Sequence, residues 1–369
     1  MTLHRWRVAA VALSSIFVLA PTRAPLPAVT PAPRSFTVGW YDQLYGAHDY
    51  TGLQNEGANT LLPYGTGVPG IGTYLTQAAK SGLGVYVEID PSFVQSVDVV
   101  GLTSFVQRFK DYPALRGWYL ADEPTLWADA DAMTPATGEV LYNAIKAADP
   151  AHPVAIAFWV TEDAHAFRNA MDDVFWDDYP CQTGQPEFSG LASWRQSLVS
   201  ARSSWGSDHR FLPIVQAFGA TGTKYADYRL PTAAEERYMI YTALQAGVNG
   251  MFLWAHYAAG PAWLTSVLDP LMAQVSPMFA AVARGPIVGV SSSITSVSVG
   301  LFRDATTGRS YVIAVHNGPG SVTATIGLPT ALARLRSKLL VRGRLRVALG
   351  SYGAIAYAFD RATVAKVAG

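Results

Sequence analysis

The sequence has 369 residues, of which half are hydrophobic and 15% are charged. A chain of this composition can bury a large core, and it shows no bias toward disorder. Its 27 Lys and Arg residues balance 27 Asp and Glu residues, so the formal net charge is zero. This balance argues against a general nucleic-acid-binding protein, which would normally be basic.

The first 34 residues have the features of an export signal. His4, Arg5 and Arg7 precede an apolar run at 8–20 and a stretch rich in Pro, Thr and Ala. A short basic segment before roughly 7–15 apolar residues is typical of a secretory signal peptide, whereas a membrane-spanning helix needs about 18 or more. We therefore predict a signal peptide and Pro-rich linker over 1–34, and a secreted or cell-envelope-associated protein. A retained N-terminal anchor is the alternative.

From residue 36 onward, short hydrophobic runs alternate with segments of helical pattern. The runs are rich in Val, Ile, Phe, Tyr and Trp, and they are hydrophobic nearly throughout. Such runs are typical of parallel strands that are buried on both faces. We predict eight strands, at 36–42, 58–64, 84–90, 117–123, 153–160, 174–179, 211–218 and 250–254.

Helix signals lie between these runs. The Thr-Pro pair at 134–135 predicts an N-cap and first-turn proline for a helix that ends before Asp149. A capping box begins at Thr232, and Gly247 follows that helix. Eight strand–helix repeats over 35–285 occupy about 250 residues, the usual span of a (β/α)₈ barrel. An open doubly wound sheet is the alternative, but no Gly-x-Gly-x-x-Gly motif follows the first strand.

After residue 285 the pattern becomes β-type, without a convincing long helix. Hydrophobic runs at 294–302, 311–316, 322–328, 337–341 and 355–359 are separated by turn residues. We predict a C-terminal β-sandwich domain over 286–361. A domain of roughly 75 residues is small for independent folding, so we expect it to pack on the barrel.

The C-terminal ends of the predicted strands carry carboxylates and aromatic residues. In a (β/α)₈ barrel the active site lies at this end. Aromatic faces stack on the C–H face of a pyranose, while carboxylates bind hydroxyl groups and transfer protons. We therefore predict a site for an oligo- or polysaccharide. The candidate residues are Trp40, Asp90, Asp122, Glu123, Trp159, Asp178, Tyr179, Gln216, Trp254 and His256.

The segment 117–124, Gly-Trp-Tyr-Leu-Ala-Asp-Glu-Pro, resembles the fourth-strand motif of the clan A glycoside hydrolases. In that group, Asn-Glu-Pro supplies the general acid/base. The strand order, Trp254 after the eighth run and the appended β domain are also similar to that group. The resemblance implies that Glu123 donates a proton to the glycosidic oxygen. It also implies that Trp254 forms the floor of the sugar subsite, with a cis peptide bond to Ala255.

Two residues depart from the family pattern. Asp122 replaces the Asn of the motif, and Gln216 stands on the seventh strand where the family has its nucleophilic Glu. An amide cannot form the glycosyl-enzyme ester. Three alternatives therefore remain open. In the first, Asp178 or Asp90 is the second carboxylate; in the second, Asp122 and Glu123 orient a substrate acetamido group, as in hexosaminidases; in the third, the barrel binds sugar without cleaving it.

Other chemistries have little support in the sequence. The seven histidines are scattered, with no His-x-His or His-Glu-x-x-His motif, so we expect no metal site. There is no Gly-x-Ser-x-Gly elbow and no phosphate loop, and we expect no cofactor. Cys181 is the only cysteine, so no intrachain disulfide can form. We expect it to be a buried structural residue rather than a reactive thiol.

Basic residues crowd one C-terminal stretch. One interpretation is a solvated sheet face on which the last three alternate along a strand; the other is contact with an anionic cell-envelope polymer or membrane surface. The residues are Arg334, Arg336, Lys338, Arg342, Arg344 and Arg346.

Overall fold

The computed structural model describes residues 35–43, 49–64, 68–126, 132–219, 225–335, 337–360 and 363–367. The signal peptide predicted at 1–34 lies outside these residues. In the part of the chain that is described, no helix has both the length and the apolar character needed to cross a membrane.

Eight parallel strands follow one another around a closed barrel, which confirms the predicted fold. The first strand pairs with both the second and the eighth and so closes the ring. Each predicted strand overlaps an observed one. The strands are β1 Thr37–Gln43, β2 Thr60–Tyr64, β3 Gly84–Glu88, β4 Leu115–Asp122, β5 Val154–Phe158, β6 Asp173–Asp177, β7 Arg210–Gln216 and β8 Gly250–Trp254.

Helices connect the strands and continue after β8. Both predicted caps form: Thr134 accepts a hydrogen bond from the Thr137 amide, and Thr232 forms a capping box with Glu235. The α-helices of the barrel are α1 Tyr50–Asn55, α2 Val68–Lys80, α3 Pro91–Ser96, α4 Val99–Phe109, α5 Pro135–Ala148, α6 Thr161–Ala166, α7 Leu191–Ser204, α8 Ala233–Gln245, α9 His256–Ala259, α10 Pro261–Trp263, α11 Asp269–Val275 and α12 Phe279–Val282. Short 3₁₀ segments lie at Arg168–Ala170 and Ser276–Met278, and a π-helical turn lies at Leu264–Leu268.

Strand alternation divides the barrel core into two layers. Successive side chains of a strand point to opposite faces. On β1, Trp40 therefore joins the core between strands and helices, whereas Tyr41 points into the barrel. The interior is filled mainly by large rings, including those of Tyr86, Phe175 and Phe252. Among the described residues, these rings occupy the middle of the barrel.

A buried ion pair closes the end of the barrel where the strands begin. Arg210 donates from Nη1 to Asp173 Oδ2 at 2.9 Å and from Nη2 to Thr37 Oγ1 at 2.8 Å. The Tyr86 hydroxyl also donates to Asp173. These residues belong to four different strands, so the network ties the base of the barrel together.

The C-terminal region forms two four-stranded antiparallel sheets, with an apolar core between them. Their orders are β10-β11-β15-β16 and β13-β14-β12-β9. The short strands β9 and β16 were not predicted from the sequence. The strands are β9 Ser291–Ser292, β10 Val297–Arg303, β11 Ser310–His316, β12 Val322–Gly327, β13 Leu340–Val341, β14 Arg344–Leu349, β15 Ala354–Phe359 and β16 Val364–Lys366; a short helix, α13, spans Thr330–Ala333.

The sheets pack against α7 and α8 of the barrel. Phe302 and Ile313 belong to the same buried cluster as the outer core of the barrel. Tyr238 on α8 donates to Asn317 at 3.2 Å, and the Phe188 ring stacks on that of Tyr352 with 5.2 Å between the ring centroids. The sheet formed by β10, β11, β15 and β16 therefore shares buried apolar surface with the outer core of the barrel.

The basic stretch only partly follows its predicted pattern. Arg344 and Arg346 lie on the exposed face of β14. Arg342 does not continue that face, because it occupies the turn between β13 and β14 with a left-handed backbone (φ 50°). Arg336 lies outside the described residues. Contact of this stretch with a cell-envelope polymer stays a prediction.

Candidate active site

A pocket of about 710 Å³ opens at the carboxyl ends of the barrel strands. Its described lining combines nine aromatic rings with four carboxyl groups, those of Asp122, Glu123, Asp177 and Asp178. The same described lining contains no Lys, Arg or His side chain. The pocket is therefore both aromatic and acidic.

An irregularity in β4 brings two adjacent carboxyl groups into this pocket. The register of β4 against β5 shifts between Tyr119 and Ala121, a β-bulge that re-aims the residues after it. Glu123 follows with a left-handed backbone (φ 45°), and its amide donates to the Ala157 carbonyl at 3.1 Å. This conformation costs about 1–2 kcal/mol for a residue other than glycine. Asp122 and Glu123 consequently line the same pocket although they are neighbours in sequence.

Tyrosine hydroxyls hold the Asp122 carboxylate. Tyr119 donates to Oδ1 at 2.6 Å and Tyr64 to Oδ2 at 3.0 Å, while Tyr41 donates to the Tyr119 hydroxyl at 3.1 Å. Burial, and then the charge of Asp122, raise the pKa of Tyr119. This hydroxyl therefore keeps its proton at neutral pH. Hydrogen bonds from such donors stabilise the ionised form of Asp122.

Asp177, at the end of β6, forms a carboxyl pair with Glu123. A hydrogen bond joins the two side chains, and the Tyr179 hydroxyl donates to Asp177 Oδ2 at 3.3 Å. Burial raises the pKa of Asp177 well above its usual range, and the charges of Glu123 and Asp122 and the hydrogen bond with Glu123 raise it further. Two hydrogen-bonded carboxyl groups must share a proton, because the doubly ionised state is unfavourable. The pair therefore retains a proton after an isolated carboxyl would have lost it.

Asp178 supplies the fourth carboxyl group of the pocket. Its backbone carbonyl accepts a hydrogen bond from Trp194 Nε1 at 3.0 Å, which anchors the loop after β6. Burial raises the pKa of Asp178 to about 6. Its carboxyl group thus changes charge at a pH well above that of an exposed aspartate.

One wall of the pocket is built around Trp254. Its ring makes edge contacts with Tyr41 and Tyr64, at centroid distances of 4.7 Å and 5.1 Å. The peptide bond from Trp254 to Ala255 is cis, as the resemblance to clan A enzymes implies. Trp159 lies at the rim and is 52% exposed. These rings offer apolar surfaces of the kind that stack on sugar rings.

The opposite wall is a second aromatic cluster. The Phe218 ring contacts Tyr179, Tyr225 and Tyr228 at centroid distances of 4.9–5.1 Å. A hydrogen bond of 3.1 Å joins the hydroxyls of Tyr225 and Tyr257. These residues follow β6, β7 and β8, with Tyr257 in α9, so this wall depends on the tertiary fold.

Six of the ten candidates from the sequence lie at the pocket: Asp122, Glu123, Trp159, Asp178, Tyr179 and Trp254. Gln216 does not. Its Oε1 accepts from the Cys181 amide at 2.8 Å, and its Nε2 donates to the carbonyls of Cys181, Phe218 and Arg229 at 3.1, 3.3 and 3.0 Å. This fully buried amide is occupied by backbone groups and is not part of the described pocket lining, so its contact with a ligand stays a prediction.

Three further candidates also lie away from the pocket. Trp40 points out of the barrel and is fully buried, with its ring edge-on to His256 at 5.3 Å. His256 Nε2 lies 3.3 Å from Glu56 Oε1. Asp90 is the N-cap of α3, where it accepts from the Ser92 amide at 2.9 Å. Each of these side chains faces a helix or caps one, and its contact with a ligand stays a prediction.

The sequence analysis did not select Asp177 or Tyr41, although both lie at the pocket. Strand alternation carries the signal that would have found them. Asp177 shares its face of β6 with Phe175, which fills the barrel interior, and Tyr41 faces the opposite side from Trp40.

The described residues include no cluster of three or more His, Cys, Asp or Glu side chains arranged to hold a metal ion. Cys181 is buried, and burial raises the pKa of its thiol. The thiol is therefore protonated at neutral pH, in agreement with the expected structural role.

Comparison with solved structures finds this fold in glycoside hydrolases. A GH30 endoxylanase from Clostridium papyrosolvens C71 aligns over 89% of this chain and 97% of its own, with a TM-score of 0.54 and 12% identity. β-Galactosidases from the psychrophilic Marinomonas ef1 and from Rahnella sp. R3 align over 65% and 68% of this chain, with TM-scores of 0.52 and 0.51 and identities of 9% and 11%.

These alignments span 60% and 57% of the two β-galactosidases. At such identities the likeness shows a common fold. No protein-family model matches the sequence. No curated protein sequence matches it at a significant level.

Proposed function

We propose that this protein is a glycoside hydrolase in which Glu123 donates a proton to the glycosidic oxygen. The observation that carries the proposal is the hydrogen bond between Glu123 and Asp177 inside an aromatic pocket. A general acid must still hold a proton near its working pH, and a buried carboxyl pair meets this requirement. The occurrence of the same fold in glycoside hydrolases supports the class of reaction.

A second carboxylate must activate the water that attacks the anomeric carbon. We assign this step to Asp178, which lines the same pocket and is ionised above about pH 6. Water adds to the anomeric carbon as its proton passes to Asp178, and the glycosidic oxygen leaves with the proton from Glu123. Asp122, held by two tyrosine hydroxyls, stabilises the positive charge that develops on the sugar ring.

We also propose that the substrate is an extracellular or cell-envelope carbohydrate. The support for this location is the export signal predicted at 1–34. No cofactor enters the proposed reaction, because proton transfer and water activation both come from carboxyl groups of the chain.

The substitution Glu123→Gln tests the proposal, because it preserves the shape of the side chain but removes the transferable proton. We expect turnover to fall by about 10²–10⁴-fold. The measurement is release of reducing sugar from a panel of oligo- and polysaccharides, with circular dichroism to verify folding. Glu139→Gln, on the exposed side of α5, is the matched control. Undiminished turnover in the Glu123 variant would exclude this role.

A non-catalytic carbohydrate-binding barrel is the second candidate. It is favoured by one observation: β7 offers the structural amide of Gln216 where related barrels carry a nucleophilic Glu. This candidate predicts that glycans bind to the pocket and are recovered intact. Product analysis in the same panel distinguishes it from hydrolysis.

Substrate-assisted hydrolysis through Asp122 and Glu123 is a variant of the first proposal. Its support is that both carboxyl groups line one pocket. It requires a substrate with an N-acetyl group, since the acetamido oxygen acts as nucleophile. Hydrolysis of glycans without N-acetyl groups would therefore exclude it.

A further inference from the structure

The charge of the pocket limits which sugars it can accept. Four carboxyl groups line it, and its described lining has no basic side chain. One proton shared by Glu123 and Asp177 leaves the cluster clearly negative at neutral pH. An anionic sugar such as a uronic acid would meet like charge in a partly dry site, where repulsion is stronger than in water.

Asp177 places a buried acceptor at this pocket. The residue is only 8% exposed, and its Oδ1 atom receives no hydrogen bond from any described N–H or hydroxyl group. The nearby Tyr179 hydroxyl reaches the other oxygen, Oδ2. The one proton that Asp177 shares with Glu123 cannot satisfy all the oxygens of the pair, so a ligand that brings donors suits this part of the pocket.

An ammonium group fits both observations. It carries three N–H donors and a positive charge, and it has no acceptor that would compete for the tyrosine hydroxyls. The rings of Trp254, Tyr41 and Tyr64 line the same pocket, and aromatic faces attract cations. A hydroxyl group or an acetamido group would supply fewer donors and no charge.

We propose that the pocket takes a sugar unit with a free, protonated amino group, and that Asp177 and Asp178 accept its hydrogen bonds. This inference rests on the proposed function, since it names the substrate class of the same site. The inference also distinguishes hydrolysis through a water-activating carboxylate from substrate-assisted hydrolysis. An ammonium group has no carbonyl oxygen and cannot attack the anomeric carbon, so the water-activating carboxylate is required.

Binding measurements with simple glycosides test the inference. The wild-type protein is titrated at about pH 7 with methyl glycosides of three sugars: the amino sugar, its N-acetylated form and the parent neutral sugar. Each glycoside is tested in gluco and galacto configuration and as both anomers. We expect the free amine of the preferred configuration to bind about tenfold more tightly than its neutral counterpart, and added salt to reduce this preference.

Variants identify the groups responsible. Asp178→Asn should remove most of the preference for the amine over the neutral glycoside. Glu139→Gln changes the net charge equally but lies on α5, so it should keep the full preference. An Asp178→Asn variant with undiminished preference would contradict recognition by this carboxylate.

The outcomes separate this inference from the proposed function. Equal or weaker binding of the amine in every configuration would overturn the inference. Loss of turnover on a neutral glycan in Glu123→Gln would then still support a glycoside hydrolase. Conversely, the wild-type protein could prefer the amine while Glu123→Gln retains full turnover. That result would support the amine-binding site and exclude Glu123 as the proton donor.

Discussion

The Asp178 carboxyl group illustrates the cost of an acidic site at the scale of one residue. Burial raises its pKa to about 6, whereas an aspartate in an unfolded chain titrates near 3.9. The folded protein therefore binds this proton more tightly than the unfolded chain does. The resulting stabilisation is complete below about pH 4 and is lost as the pH rises through about 6.

Asp178→Asn should therefore stabilise the protein in a pH-dependent way. At about pH 7.5 we expect the free energy of unfolding to exceed that of the wild type by about 2–3 kcal/mol, because the variant buries no charge. The difference should shrink toward zero near pH 4, where the wild-type carboxyl group is protonated. Urea denaturation across this pH range measures it. An equal difference at both ends of the range would contradict the assignment to this proton.

At the level of secondary-structure elements, the barrel strands position their pocket side chains in different ways. β6 delivers Asp177 by simple alternation, since the residue shares a face with Phe175. β4 needs a bulge and a left-handed residue to deliver Asp122 and Glu123 together. β7 delivers no catalytic group, because Gln216 joins the loop after β6 to the loop before α8.

Gln216→Glu tests this reading of β7. The new carboxylate would keep one donor, the Cys181 amide, but it would face three carbonyl oxygens that now accept from Nε2. We expect a loss of about 3 kcal/mol of stability, measured by chemical denaturation, and no retaining activity by NMR of the released sugar. Gln185→Glu, at an exposed position, is the control. A stable variant with retaining activity would show that position 216 can reach the substrate.

The sequence was sufficient to predict the elements because their signals are local. Hydrophobic runs marked all eight barrel strands, and Thr134 and Thr232 marked two helix starts. The direction in which side chains point at the strand ends was harder to predict from the sequence. Trp40 was selected instead of Tyr41, and Asp178 was selected without Asp177. Strand alternation, which decides which of two neighbouring side chains points into the barrel, was not applied to these pairs.

Other parts of the site had no local signal. Tyr225 and Tyr228 reach the pocket from the loop before α8, and no periodicity identifies such residues. The bulge in β4 also depends on the register with β5, which becomes visible only in the folded sheet. These features arise from long-range packing.

The barrel and the C-terminal sheets behave as one folded body at the scale of the molecule. Phe302, Ile313 and Val315 are buried in the cluster that also contains the outer core of the barrel. Arg195 on α7 donates to Ser298 at 2.6 Å, which adds a polar link between the two parts. The sheets thus cover apolar surface that the barrel would otherwise expose to water.

Deletion of residues 286–369 should therefore destabilise the barrel. We expect a lower midpoint of thermal unfolding and aggregation during purification, because the apolar face near α8 becomes exposed. Calorimetry and size-exclusion chromatography measure the two effects. Tyr238→Phe, which removes only the hydrogen bond to Asn317, should cost about 1 kcal/mol and serves as the mild comparison. An unchanged midpoint in the truncated chain would show that the barrel is self-sufficient.

The ion pair between Arg210 and Asp173 affects how a substrate enters the barrel and how a product leaves it. With the far end of the barrel plugged, the cavity is a blind well rather than a tunnel. Whatever enters must turn back through the same mouth. A cleaved sugar that remains in the pocket blocks the next saccharide, so the product must leave before another substrate can bind.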